Sequence, residues 1–178
     1  MKIWLPLFIP PTVHPSSSEG VKSLQGHFRD MTSAKEIRLA LKDNDNFLSV
    51  LTSKSAHHLP HPVSLSLPKT LIFNIESGKG KIGHWVSLLM TKHEALFFDS
   101  MGKQLRDINI IKYLLPHYKC VYFNPTQIQH NSSIKCGPFC IAFTKFVKNK
   151  SDFRKFINLF SKTNLKNNDV IVENIISK

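Results

Sequence analysis

The residue with the clearest chemical potential is Cys136, in the stretch HNSSIKCGPFC (130–140), between a lysine and a Gly-Pro pair and just ahead of the apolar helical stretch CIAFTKFV. A cysteine attacks a carbonyl only as its thiolate. A helix N-terminus offers unpaired N–H groups and the positive end of the helix dipole, which both stabilise that anion. Lys135 would add a nearby positive charge if it pointed inward. Gly137 would let a substrate backbone approach closely, and Pro138 fits a first helical turn, where its missing N–H is no loss. Taken alone, a cysteine in an apolar helix is an ordinary small core residue. Partners decide between the two readings.

A thiol nucleophile needs an imidazole within hydrogen-bond reach and a carboxylate to hold the imidazole's tautomer. His84 follows Gly83 at the start of HWVSLLM, so its ring can project from the edge of a sheet. Asp99 closes the next apolar run, ALFFD, and can sit beside His84 if the two runs pair as a hairpin; Glu94 falls in the turn between them. Acyl transfer also needs donors aimed at the developing oxyanion. Gln129 lies seven positions before Cys136 (136 − 129) on the loop leading into it, with Gln127 as the competing candidate.

These residues must be carried by particular elements. KTLIFNIES (69–77), HWVSLLM (84–90) and ALFFD (95–99) alternate or run apolar between turn signals, which predicts an antiparallel meander. The glycines at 78 and 80 in SGKGK mark a hairpin turn rather than a phosphate loop, because the GK-[ST] signature is missing. DINIIKYLLPHY predicts a helix with Ile108, Ile111 and Leu115 on one face, and CVYFN (120–124) a further strand. Phe139, Phe143 and Val147 mark the buried side of the helix opened by Cys136, and two amphipathic helices near 151–161 and 168–176 follow. Upstream, Thr32 and Ser33 can cap a helix near 34–42, and a second short helix is expected near 44–52. Residues 1–30 read as an extended N-terminal arm, and about 65–150 as the core of a single domain spanning 1–178. Cys120, and Cys140 one helical turn beyond Cys136, read as core.

Composition narrows the class. The 178 residues are 42% hydrophobic and 20% charged, the balance of a globular chain. Lys and Arg exceed Asp and Glu by 24 − 12, giving +12, which attracts polyanions such as nucleic acid, although the lysines are scattered. Three cysteines cannot complete a disulfide framework, so a reducing compartment is expected. The opening MKIWLPLFIPP carries Pro6 and Pro10-Pro11 and lacks a small-x-small cleavage site, and no stretch approaches a membrane span. A soluble chain is expected, with no membrane partner. His57, His58 and His61 in HHLPH have neither a cysteine partner nor a helical frame, so no metal is expected there.

The set GHW (83–85), FFDSMG (97–102), Gln129 and CGPFC (136–140) resembles the adenovirus-type (adenain-like) cysteine protease family and, more distantly, the SUMO- and ubiquitin-like-specific proteases of the same clan. The resemblance covers about residues 70–148. It implies an α+β fold with a central mixed sheet flanked by helices, a papain-like, circularly related cysteine protease fold. It further implies His84 as base, Asp99 as its orienting acid, Gln129 as oxyanion donor and Cys136 as nucleophile. Trp85 would match the family's aromatic neighbour near the site and, with Gly137, would contact substrate. The expected function is a viral maturation endopeptidase acting on capsid or core precursors as a monomer, in the virion and the host-cell nucleus or cytoplasm. No cofactor is expected for the chemistry; DNA, bound without sequence preference, would be stimulatory. A deconjugase of ubiquitin-like proteins keeps the site and changes the substrate. A non-catalytic basic virion module that binds nucleic acid is the alternative outside enzymes.

Overall fold

The computed structural model describes residues 3–6, 32–59, 61–75, 83–114 and 116–177. The expected meander forms the middle of a sheet. Strands β3 (Lys69–Ile75), β4 (His84–Met90) and β5 (Ala95–Phe98) pair antiparallel in sequence order, with Ile75 opposite His84 and Ser87 opposite Phe98. Three parallel pairings extend it. On one side β2 (Phe47–Thr52) joins β3; on the other β6 (Cys120–Phe123) joins β5, and β1 (Ile3–Pro6) joins β6. The order is β1-β6-β5-β4-β3-β2, a mixed sheet. The parallel β5–β6 pair needs a crossover, and helix α2 (Ile108–Leu114) lies in that connection.

β2 corrects the expectation of a helix over 44–52. The chain turns first: Asn44 Oδ1 accepts the Asn46 N–H at 3.0 Å, an Asx turn instead of a helix cap. FLSVLT then carries the β-branched Val50 and Thr52, and pairing with β3 satisfies backbone groups that an open edge would leave bare. The preceding helix, α1 (Ala34–Ala40), forms as expected. Ser33 caps it, accepting from the Glu36 N–H while its own N–H donates to the Glu36 carboxylate. Of the N-terminal arm only β1 is described, and it is extended; the hairpin turn with Gly78 and Gly80 lies outside the described residues.

Helices cover both faces, so the central strands read as continuous apolar runs: β4 is buried from Trp85 to Met90. On one face, α3 (Cys136–Phe146), α4 (Lys150–Asn158) and α5 (Asn168–Ile176) pack Phe139, Phe143, Phe153, Phe156 and Val172 against Leu89, Leu96 and Phe98. Phe98 and Phe143 stack with centroids 4.9 Å apart, and Phe153 and Phe156 meet both edge-on. On the other face α2 packs Ile110 and Leu114 with Leu71, Phe73, Leu88 and Phe97. The expected α2 face is therefore rotated. Ile110 and Leu114 are buried, whereas Ile108 is 58% exposed; Leu115 lies outside the described residues. A third cluster joins Ile37 and Leu41, at α1, to Trp85, Cys140 and Ile141. Cys140 is in the core as expected, while Cys120 is half-buried.

Candidate active site

β4 and β5 bring the first pair together. With Phe98 opposite Ser87, Asp99 lies one step past the ladder, within diagonal reach of His84. The His84 Nε2–H donates to Asp99 Oδ1 at 2.7 Å. Asp99 is itself held firmly: its Oδ1 also accepts the Met101 N–H at 2.7 Å, and its side chain is almost wholly buried. The parallel β5–β6 pairing adds a brace. Just past β6, buried Asn124 accepts the Asp99 N–H at 3.0 Å and donates its amide to the Asp99 carbonyl at 2.7 Å.

Cys136 opens α3 and lines the same cleft as His84 and Asp99, close enough to act on the His84 imidazole. Because Nε2 is engaged by Asp99, Nδ1 is the ring nitrogen left for the sulfur. Burial by itself would push the His84 pKa down. The hydrogen bond and charge of Asp99, joined by those of Cys136, outweigh burial and raise it from 6.5 to about 9. Histidine and carboxylate are thus joined by a hydrogen bond, and the thiol shares their cleft. Cys140, one turn further along α3, is a different kind of thiol: burial pushes its pKa well above the usual value, in keeping with an inert core residue.

The two glutamines are separated by their bonding. Both amide hydrogens of Gln127 are occupied, by the Gln129 carbonyl at 2.8 Å and Asn131 Oδ1 at 2.7 Å. Gln129 is buried; its Oε1 accepts from the Ser100 hydroxyl at 2.6 Å, and Nε2 donates one hydrogen to the Ser133 carbonyl at 2.7 Å. Among the described residues one amide hydrogen of Gln129 has no partner, and Gln129 lines the cleft that holds His84, Asp99 and Cys136. The loop is seated by the Ser100 carbonyl, which accepts the N–H groups of Ile128 and Gln129. Gly102, at φ +69°, turns the chain where a Cβ would meet the Gln127 backbone at 2.5 Å.

Two expectations need correction, those for Gly137 and Lys135, and Trp85 gains a second role. Gly137 does not open space for a substrate: a Cβ there would lie 2.5 Å from the Thr32 Cβ, so this glycine makes room for the chain's own Thr32. Trp85 lines the cleft but is buried, and its indole N–H donates to the Thr32 carbonyl at 2.8 Å, which makes it a strut as much as a contact surface. Lys135 points to α5 and pairs with Glu173, so its charge is compensated.

The cleft has a volume of about 1480 Å³ and runs from Thr32 and Trp85, past Cys136, to the exposed Lys103 and Arg106. Among the described residues no cluster of three His, Cys, Asp or Glu side chains could hold a metal ion, and no helix is long and apolar enough to cross a membrane. The braces Asn124, Ser100 and Thr32 were not anticipated. One signal existed: FFD and YFN end two runs in the same way, and the register carries Asn124 opposite Phe98, one step from Asp99.

The sequence matches no protein-family model and no curated protein. Solved structures do match. The central domain of the uncharacterized Lpg1148 protein from Legionella pneumophila superposes with a TM-score of 0.50 at 17% identity, covering 84% of this chain and 96% of that one. The ASFV pS273R protease reaches 0.41 at 15% identity over 72% of this chain and 57% of its own. AvrA delL154 with IP6 and CoA reaches 0.41 at 17%, over 74% of this chain and 51% of its own. The first likeness supports the α+β fold.

Proposed function

We propose that this chain is a cysteine endopeptidase in which Cys136 is the nucleophile, His84 the acid and base, Asp99 the orienting carboxylate and Gln129 an oxyanion donor. The observation that carries the reading is the 2.7 Å hydrogen bond of His84 to buried Asp99, in the same cleft as Cys136 at the first residue of a helix. At about 1480 Å³ the cleft exceeds the roughly 300–1,000 Å³ of a small-molecule pocket and suits an extended polypeptide.

The chemistry follows from the geometry. The Cys136 sulfur, its proton already carried by the His84 ring, attacks the scissile carbonyl carbon as the thiolate, and the carbonyl π pair moves to the oxygen. The free Gln129 amide hydrogen and the Cys136 backbone N–H receive that oxyanion. His84, which keeps its proton up to about pH 9, gives it to the departing amine as the C–N bond breaks. The ring, now neutral, takes a proton from water; the hydroxide attacks the thioester, and the sulfur leaves with the carboxylate product formed. Asp99 holds Nε2–H throughout and stabilises the imidazolium.

Within this reading the substrates are viral capsid or core precursors, and the +12 charge suits work on packaged nucleic acid. Turnover of precursor peptides by the purified chain, with and without DNA at low salt, tests both levels. Cleavage abolished in Cys136→Ala supports the protease; no stimulation by DNA removes the nucleic-acid element alone. Labelling by a ubiquitin-like vinyl sulfone, with no precursor cleavage, would move the substrate class to conjugates.

A further inference from the structure

We infer that two carboxylates of the C-terminal helix α5, Asp169 and Glu173, are positioning residues for the active-site loop. This rests on the protease reading for its consequence, and on side-chain geometry for its substance. Residues 128–135 carry Gln129 at one end and lead into Cys136 at the other, and α5 holds that segment at three points. At the near end, buried Asn168 donates its amide to the Ile128 carbonyl at 2.8 Å. In the middle, the Ser133 hydroxyl donates to Asp169 Oδ1 at 3.0 Å. At the far end, Lys135 Nζ pairs with Glu173 Oε1.

The three contacts differ in what they transmit. Ser133 is where the loop folds on itself: its carbonyl accepts the Gln129 amide at 2.7 Å, and its hydroxyl accepts the Lys135 N–H at 3.2 Å. Fixing the Ser133 side chain on Asp169 therefore fixes the acceptor that aims Gln129, and with it the direction of the remaining amide hydrogen. Glu173 acts on charge. Lys135 directly precedes the nucleophile, and its side chain is only 22% exposed, so without Glu173 its ammonium would be free to turn toward the sulfur. Paired, it is held against α5 instead. The two carboxylates share one helical face, since 169 and 173 are four apart. Beside Asp169 on the helix surface, Val172 enters the phenylalanine core, which gives the clamp a rigid footing.

Two readouts separate positioning from mere stability. The first needs no substrate: alkylation of Cys136 by iodoacetamide at pH 7. Glu173→Gln releases Lys135, and the rate is expected to rise about threefold in low salt, the scale of one partly exposed charge, and to return to the wild-type value in 1 M KCl. Glu173→Asp is expected to stay near wild type. The second is peptide turnover: Asp169→Ala is expected to lower kcat roughly tenfold with KM unchanged, a fraction of the loss from deleting an oxyanion donor. Asp169→Asn keeps an oxygen acceptor for Ser133 and is expected to restore most of it, which a helix-dipole role would not permit. Equal alkylation in wild type and Glu173→Gln at low salt overturns the Glu173 assignment; equal kcat in Asp169→Ala, or no rescue by Asn, overturns the Asp169 one. If the wild type turns over no peptide, the protease reading fails, and the salt-dependent alkylation still decides whether α5 governs the environment of Cys136.

Discussion

Replacing Asp99 by Asn removes one negative charge while keeping the shape of the side chain, and its effect can be worked out beforehand. In the folded chain His84 holds its proton to about pH 9, against 6.5 for the free side chain. Between those values the folded state binds a proton that the unfolded state has released, so stability must fall as pH rises. The contribution is complete below 6.5 and gone above 9. At about 1.4 kcal/mol per pH unit, it amounts to roughly 3 kcal/mol. Asp99 is first among the groups that raise the value, through a 2.7 Å hydrogen bond and its charge, and burial opposes it. In Asp99→Asn most of the pH-dependent stability between 6.5 and 9 should vanish, because burial then pushes the imidazole back down. Urea unfolding at pH 6.5, 7.5 and 9 measures this in both proteins, and imidazole NMR follows His84 directly. An equal decline in wild type and variant would refute the reasoning, since the carboxylate would then not be what holds the proton.

Other expectations follow from packing and bonding. Gly137→Ala places a Cβ 2.5 Å from the Thr32 Cβ, and overpacking of that kind costs about 1–3 kcal/mol; Thr32→Gly removes the clashing atoms and should recover most of the loss in urea melts. Phe143→Ala, which leaves a cavity against Phe98, Phe153 and Phe156, should cost about 3–5 kcal/mol in the same assay. Gln129→Ala should lower kcat by about 10²–10³, as expected for an oxyanion donor. Gln127→Ala, whose amide is already spent inside the loop, should lower it by less than about tenfold.

The legible part of the sequence was what period and spacing encode. The β3–β4–β5 meander follows from alternating apolar runs, and the buried side of α3 from Phe139, Phe143 and Val147. The hairpin that those runs imply brings His84 to Asp99, so that half of the site was readable. The rest depended on tertiary pairing. FLSVLT carries no signal strong enough to choose strand over helix until β3 offers it an edge. Gly137 looked like open space because nothing local places Thr32, far away in sequence, against it. The same holds for Lys135: its charge could be judged only once Glu173 was seen to claim it. α2 was misread by rotation alone, because an isoleucine-rich run leaves several faces equally apolar.

In the proposed mechanism the Cys136 sulfur does covalent chemistry with the help of the His84 ring. Intact-protein mass spectrometry after mixing with an activated peptide ester tests it most directly. One acyl group per chain, mapped to Cys136 and lost in both Cys136→Ala and His84→Ala, is the predicted result. An adduct that forms equally well without His84, or one carried by Cys120 or Cys140, would contradict it.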